Sequence, residues 1–320
     1  MSAGERRTTP SAETARNGKR TMTEGRQRNE QVVAITGGGS VREQIKDRGF
    51  RLLLLACLAV GVIFLAVLLV QVTVKGAPRL NSDLLRQMPS SLPARAGIQS
   101  AIFGTLWVIG LTALVCIPVG VGAAIYLEEY ANKERRFNRL IELNIQNLAA
   151  VPSIVWGILG LGFIARGLHL GFTVQTAALT LALLVLPMVI IASREAIRAV
   201  PNSIRLGALA LGATRWQTVR RQVLPAAVPG IATASILSLS RAIGEAAPLL
   251  LLGAVTFVRF NPDGFDSAYT VLPIQIFNYI SRPQEEFRVI AAAAIVVLLG
   301  VLLAMNSLAI FIRNRYGRRW

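Results

Sequence analysis

One apolar run in this chain carries two opposite charges. Ser240–Gly253 reads SRAIGEAAPLLLLG, and Arg241 and Glu245 stand four residues apart, which sets both on one face of a helix. A charge near the centre of a bilayer costs about 2.5–3.5 kcal/mol on insertion scales, so a pair in such surroundings needs a purpose. A guanidinium fork can hold two oxygens of an oxyanion at once, which makes Arg241 the candidate for direct anion contact. Glu245 would neutralise an arginine, or change partner as a path opens. Two readings stand: an anion path facing the interior of a helix bundle, or a salt bridge that locks helices together. Arginine before glutamate is the weaker order for a pair within one helix, so either residue can draw its partner from elsewhere.

Bond-making chemistry finds no support. A Gly-x4-Gly-Lys-Ser/Thr loop is absent; Gly37–Ser40 is a glycine run outside any strand–helix context. One histidine, His169, rules against a conventional triad, reads as a solvated residue of a short turn, and leaves no set of metal ligands. Cys57 and Cys116 lie in apolar runs without metal or disulfide spacing and read as small packing residues. No catalytic residue and no metal site is expected.

The elements that must position Arg241 are membrane helices. Hydrophobic residues make up 53% of the 320, and they are gathered into blocks, which excludes an ordinary soluble domain. Leu52–Val74, Gly97–Leu127, Leu148–Ile164, Phe172–Ala192, Ala226–Val258 and Val289–Ile312 can each cross a core of about 30 Å, which takes roughly 20 residues. The third is the shortest, and the amphipathic stretch Ile141–Ala150 could extend it. The expected fold is all-α, a polytopic membrane protein of about six transmembrane helices. Basic residues flank the blocks unevenly. Arg42, Lys46, Arg48 and Arg51, Lys133–Arg139, Arg194–Arg221 and Arg313–Arg319 form the larger set, which the positive-inside rule puts in the cytoplasm with both termini. The net charge of +17 is thereby read as topology and anionic-lipid contact, not nucleic-acid binding. Residues 1–47 read as a disordered cytoplasmic tail and 48–320 as the membrane domain. Between the fifth and sixth blocks, Val271–Ile280 is apolar but too short to span, and fits a re-entrant or interfacial helix.

One basic, helix-prone segment interrupts the blocks. Within Ser193–Gly230, a short helix (Leu206–Leu211) reaches Gly212, a second amphipathic helix follows (Arg215–Val223), and Leu224–Pro225 opens the next block. This loop, 194–225, resembles the cytoplasmic coupling loop of ABC importer permeases, whose motif reads E-A-A, three residues, Gly, nine residues, I-x-L-P. Ala208, Gly212, Leu224 and Pro225 match at that spacing, while Leu206, Gly207 and Gln222 depart from it. RAIGEAAPLL, AVPSIVWGILGLG (Ala150–Gly162) and LPIQIF…RPQEEF (Leu272–Phe287) narrow the resemblance to phosphate importer permeases of the PstA type.

The resemblance implies a type I, MetI-like permease in the inner or plasma membrane that is not itself an enzyme. It implies a PstC-type permease as heterodimer partner, a PstB-type ATPase dimer that binds ATP and Mg, and an extracytoplasmic phosphate-binding protein. Ala208 and Gly212 would allow close approach to the ATPase, and Arg215 and Trp216 would anchor it, although Trp216 suits a membrane interface equally well. Three alternatives remain: a permease for another oxyanion such as phosphonate, a channel or secondary transporter without ATP, or a scaffold. Pro118, Pro152, Pro187, Pro229 and Pro248 would kink their helices, and Gly157, Gly160 and Gly162 would let helices pack closely.

Overall fold

The computed structural model describes residues 41–132, 134–253 and 257–316. Most of the expected tail, with Gly37–Ser40, lies outside the described residues, as do Lys133, Arg318 and Arg319. Helix α1 (Val41–Gly76) is already formed at Val41, within the last residues of the stretch read as the tail. Its 36 residues make a rod of about 54 Å. The chain divides into two compact units, Met1–Leu68 and Leu69–Trp320. The first holds most of α1, whose Cys57 is exposed rather than packed.

Every regular element of the second unit is also helical among the described residues. After the short α2 (Ser82–Arg86) come α3 (Gln99–Tyr130), α4 (Arg136–Ala149), α5 (Ser153–Gly167) and α6 (Val174–Arg198). The chain continues through α7 (Asn202–Ala210), α8 (Arg215–Gly244), α9 (Ala247–Leu251), α10 (Leu272–Ile280) and α11 (Glu285–Tyr316). Among the described residues, helices α1, α3, α6, α8 and α11 are long and apolar enough to cross a membrane, and the number is six if the bent pair α4–α5 counts as one span.

Prolines set the breaks. A proline lacks an N–H, and its ring clashes with the carbonyl four residues back, so a helix tends to end near that carbonyl. Pro152 ends α4 at Ala149, and the chain turns by 102° before α5. The amphipathic stretch therefore leaves the line of the third span instead of lengthening it. Pro248 likewise ends α8 at Gly244, so the fifth block is not one helix: Glu245 is the extended cap and α9 follows it. Pro118, Pro187 and Pro229 stay inside helices that continue past them.

Small residues and side-chain hydroxyls fasten the bundle. Helix α3 lies on α6, where the Thr112 hydroxyl donates to the Ala178 carbonyl at 3.2 Å and a Cβ on Gly120 would fall 2.7 Å from Val189. Thr233 of α8 donates to the Ala309 carbonyl of α11 at 3.3 Å. Gly157 abuts Pro248, Gly160 abuts Thr180, and Gly104 abuts the Thr270 carbonyl. Gly162 faces open space, so it does not share the packing role read for its neighbours. Cys116 is buried among Trp156, Val185 and Val189. The short helix α10 exists as expected; it is held by the Tyr279 hydroxyl donating to the Gly97 carbonyl at 2.6 Å and by Tyr279 stacking on Phe287.

A methyl group added at Gly157 would sit 2.6 Å from backbone atoms of Pro248. We expect Gly157→Ala to destabilise the folded chain by about 1–3 kcal/mol, and Gly162→Ala to leave it unchanged. Thermal unfolding of the detergent-solubilised variants checks both.

Candidate functional site

The segment around Gly212 is built by two interlocking caps. Helix α7 ends in a Schellman motif: Gly212 N–H donates to Leu209 O at 3.0 Å and Ala213 N–H to Ala208 O at 3.1 Å. That geometry needs a left-handed residue, and Gly212 supplies it at φ 80°. Two residues later Thr214 opens α8 through a capping box. Its Oγ1 accepts from Gln217 N–H at 3.2 Å, and the Gln217 side chain accepts from Thr214 N–H at 2.9 Å. The turn is therefore rigid on both sides, as the helix–glycine–helix reading anticipated.

The α-helix of the fifth span opens at Leu224 with Pro225 in its first turn, as read from the motif, but no gap separates it from Arg215–Val223, so α8 runs unbroken from Arg215 to Gly244. A π-turn over Val219–Val223, closed by Leu224 N–H donating to Val219 O, absorbs the proline. Arg215, Trp216, Leu224, Pro225 and Arg241 consequently lie on one rod, with about 39 Å between Arg215 and Arg241.

The outer faces of α7 and the start of α8 are open. Leu206 is 66% exposed, Leu211 91% and Trp216 55%, with Leu209 beside them. Large apolar side chains are thus left exposed along Leu206–Trp216, and exposed apolar patches are candidate contact surfaces. Ala208 is half-buried beneath it, Leu224 is half-buried and Pro225 is exposed. Arg215 is exposed and its guanidinium lies over the Tyr130 ring at 5.4 Å. A cavity of about 250 Å³ is lined by α7 and the start of α8, with Glu129, Arg205, Leu209 and Thr218 among its walls.

Sequence reasoning missed the ion pairs behind that patch. Arg194 and Arg198 at the end of α6 both reach Glu128 at 3.0 Å, Arg194 also reaches Glu142 of α4 at 2.7 Å, and Arg205 of α7 reaches Glu129 at 2.7 Å. These arginines were read only as topology markers. The signal was the Glu128–Glu129 doublet at the end of an apolar block, which needed cations from somewhere.

Arg241 and Glu245 do meet, but loosely. Arg241 Nε lies 3.5 Å from Glu245 Oε1, and Nη1 contacts the Met188 sulfur of α6 at 2.9 Å. A thioether is a weak acceptor, so the fork keeps donor capacity. The Arg241 side chain is 51% exposed at the surface of an apolar bundle, whereas Glu245 is 18% exposed. Glu245 no longer shares a helix with Arg241; it caps it.

A family model described as binding-protein-dependent transport system inner membrane component matches residues 116–315. The phosphate transport system permease protein PstA 1 of Mycobacterium tuberculosis (strain ATCC 25618 / H37Rv) is 34% identical over 223 residues, 70% of this chain and 71% of that one. The probable ABC transporter permease protein YqgI of Bacillus subtilis (strain 168) is 32% identical over 233 residues, 73% of this chain and 78% of the relative. Among solved structures, a chain of a bacterial alginate ABC transporter, solved in complex with an alginate-bound periplasmic protein, superposes with a TM-score of 0.62. It is 17% identical and covers 87% of this chain and 98% of its own length. A chain of the inward-facing MetNI methionine ABC transporter gives a TM-score of 0.55 at 17% identity, covering 68% of this chain and 95% of that one. These two share the fold.

Placing a Cβ at φ 80° costs about 1–2 kcal/mol. Gly212→Ala is expected to speed amide exchange at residues 212 and 213 roughly tenfold while leaving α3 and α6 unchanged. Exchange read residue by residue in micelles would show this, and unchanged rates would mean that the Schellman turn is not strained by a side chain.

Proposed function

The chain belongs to the family of binding-protein-dependent transport system inner membrane components, and from that premise we propose that it is a permease subunit of an ATP-driven phosphate importer. The observation that carries the reading is the single rod α8, which joins an exposed docking surface at Arg215–Trp216 to the half-exposed guanidinium of Arg241.

The docking surface takes a partner ATPase. Leu206, Leu209 and Leu211 offer it apolar area, and Arg215 and Trp216 flank them. ATP and Mg are bound by that ATPase, which closes on its nucleotide and pushes the Gly212 turn. Because α8 is continuous, the push reaches Arg241 without crossing a flexible joint. This end of the bundle is cytoplasmic, as the crowding of arginines around it implies.

At the other end of α8, Arg241 meets the substrate. Its charge is partly offset by Glu245 and by the carbonyl end of the helix dipole. One arginine so balanced does not hold an oxyanion alone. The second, PstC-type permease packs against the exposed side of Arg241 and adds the polar wall that an exposed charge in an apolar bundle requires. An extracytoplasmic binding protein delivers phosphate to the mouth. Phosphate is the proposed substrate because relatives aligned over 70% and 77% of this chain are phosphate transport system permeases.

Uptake of labelled phosphate into vesicles carrying both permeases and the ATPase, with binding protein supplied, tests the proposal. Arg241→Ala is expected to lower uptake at least tenfold, and Arg241→Lys to recover only part of it, since an ammonium lacks the fork. Competition by phosphonate stronger than by phosphate would move the assignment to another oxyanion. Uptake persisting without the ATPase would end the ATP-driven reading.

A further inference from the structure

Helix α7 is held to the bundle in an unusual way. It has no fully buried residue, and Ile204 is only half-buried against the core around Ile197 and Val200. Among the described residues, its buried polar attachment to the neighbouring helices runs through Arg205. Arg205 Nε and Nη2 donate to Glu129 Oε1 at 3.0 and 2.7 Å. Nη2 also donates to the Ile197 carbonyl at 2.9 Å and Nη1 to the Val200 carbonyl at 2.5 Å. The guanidinium thus ties α7 to the end of α6 and to the end of α3 together, with both side chains mostly buried.

Glu129 sits in the π-turn Tyr126–Tyr130 that finishes α3, beside Glu128, which takes Arg194 and Arg198 from α6. Consecutive carboxylates therefore receive α6 and α7. We infer that the Arg205–Glu129 pair is a transmission strut: it carries displacement of α7 sideways into α3, so that α3 and α6 move with α7 as one body. Separating a buried pair would leave an uncompensated charge, so this contact resists extension where an exposed helix lying on apolar side chains would slide. Lysine could keep the charge but not the simultaneous contacts, because one ammonium cannot occupy the positions of a planar fork. Arg205 and Glu129 are positioning residues in this scheme, since neither touches substrate or nucleotide. The inference rests on the reading of α7 as the ATPase-docking helix.

The test uses proteoliposomes holding the full transporter, with labelled phosphate uptake and ATP hydrolysis read in parallel for Arg205→Lys and Glu129→Gln. Both variants are expected to co-purify with the ATPase and to hydrolyse ATP within about twofold of wild type, while phosphate moved per ATP falls roughly tenfold. An unchanged ratio, or loss of co-purification, would overturn the strut, the latter because the pair would then serve only assembly. A second measurement keeps those variants out of the experiment. With Cys57→Ser and Cys116→Ala as background, spin labels at Ser203→Cys on α7 and Tyr126→Cys on α3 report their separation. It should stay constant within about 2 Å between nucleotide-free and ATP-bound complexes, and a larger change refutes rigid transmission. That distance needs no substrate. If the wild-type complex fails to take up phosphate, the substrate assignment falls and the spin-label result still decides the strut.

Discussion

The architecture depends on how one proline is accommodated. Within a bilayer every backbone polar group must be satisfied inside the protein, and Pro225 threatens that rule by clashing with the Arg221 carbonyl. The chain answers by widening one turn, so that Leu224 N–H bonds to Val219 O and the helix passes the proline without a break. Had the helix ended there, the segment after Gly212 and the span carrying Arg241 would be separate bodies joined by a loop. Instead they are one lever, and displacement at one end is displacement at the other.

Pro248 shows the opposite outcome from the same residue type. No widened turn precedes it; the helix stops at Gly244 and α9 starts afresh against Gly157. The stop gives the lever a defined end one turn beyond Arg241. It also places Glu245 beside the carbonyl end of α8, where negative charge is disfavoured and a cation is favoured. Arg241 therefore stands at the end of the helix where a cation is favoured, and its loose 3.5 Å contact with Glu245 leaves the fork able to exchange partners. A tight bidentate pair would have been a lock.

Much of this was legible in the sequence, and the limits have physical causes. Block lengths gave the spanning helices, Gly212 gave the left-handed turn, and the short apolar run at Val271–Ile280 gave α10, because each is decided by neighbours along the chain. The kink at Pro152 was expected, but not that its 102° turn would carry Ile141–Ala150 out of line with the third span, nor that Arg215–Val223 would join the span opening at Leu224 without a gap: proline has two outcomes, and the choice between them depends on whether an adjacent turn can widen. The ion pairs joining Glu128 and Glu129 to Arg194, Arg198 and Arg205 span 66 to 76 positions, and no periodicity connects such partners. Gly162 failed as a packing residue for a related reason, since a small residue permits close approach only if another helix happens to face it.

The bundle divides its attachments by chemistry. Where helices cross in apolar surroundings, small residues and hydroxyl-to-carbonyl bonds bring them together at Thr112, Gly120 and Thr233. Those contacts are short and shape-dependent, and they hold helices side by side. Around the Gly212 end the attachments are charged, directional and buried, at Arg194 and Arg205. Gly212 stands between two helices that answer to different anchors: α7 through Arg205 to α3 and α6, and α8 through its own backbone to Arg241. A load on the turn is thereby shared between a sideways route and a lengthwise one. The rigid caps on both sides of Gly212 keep the two routes in register, which a flexible loop at that position would not do.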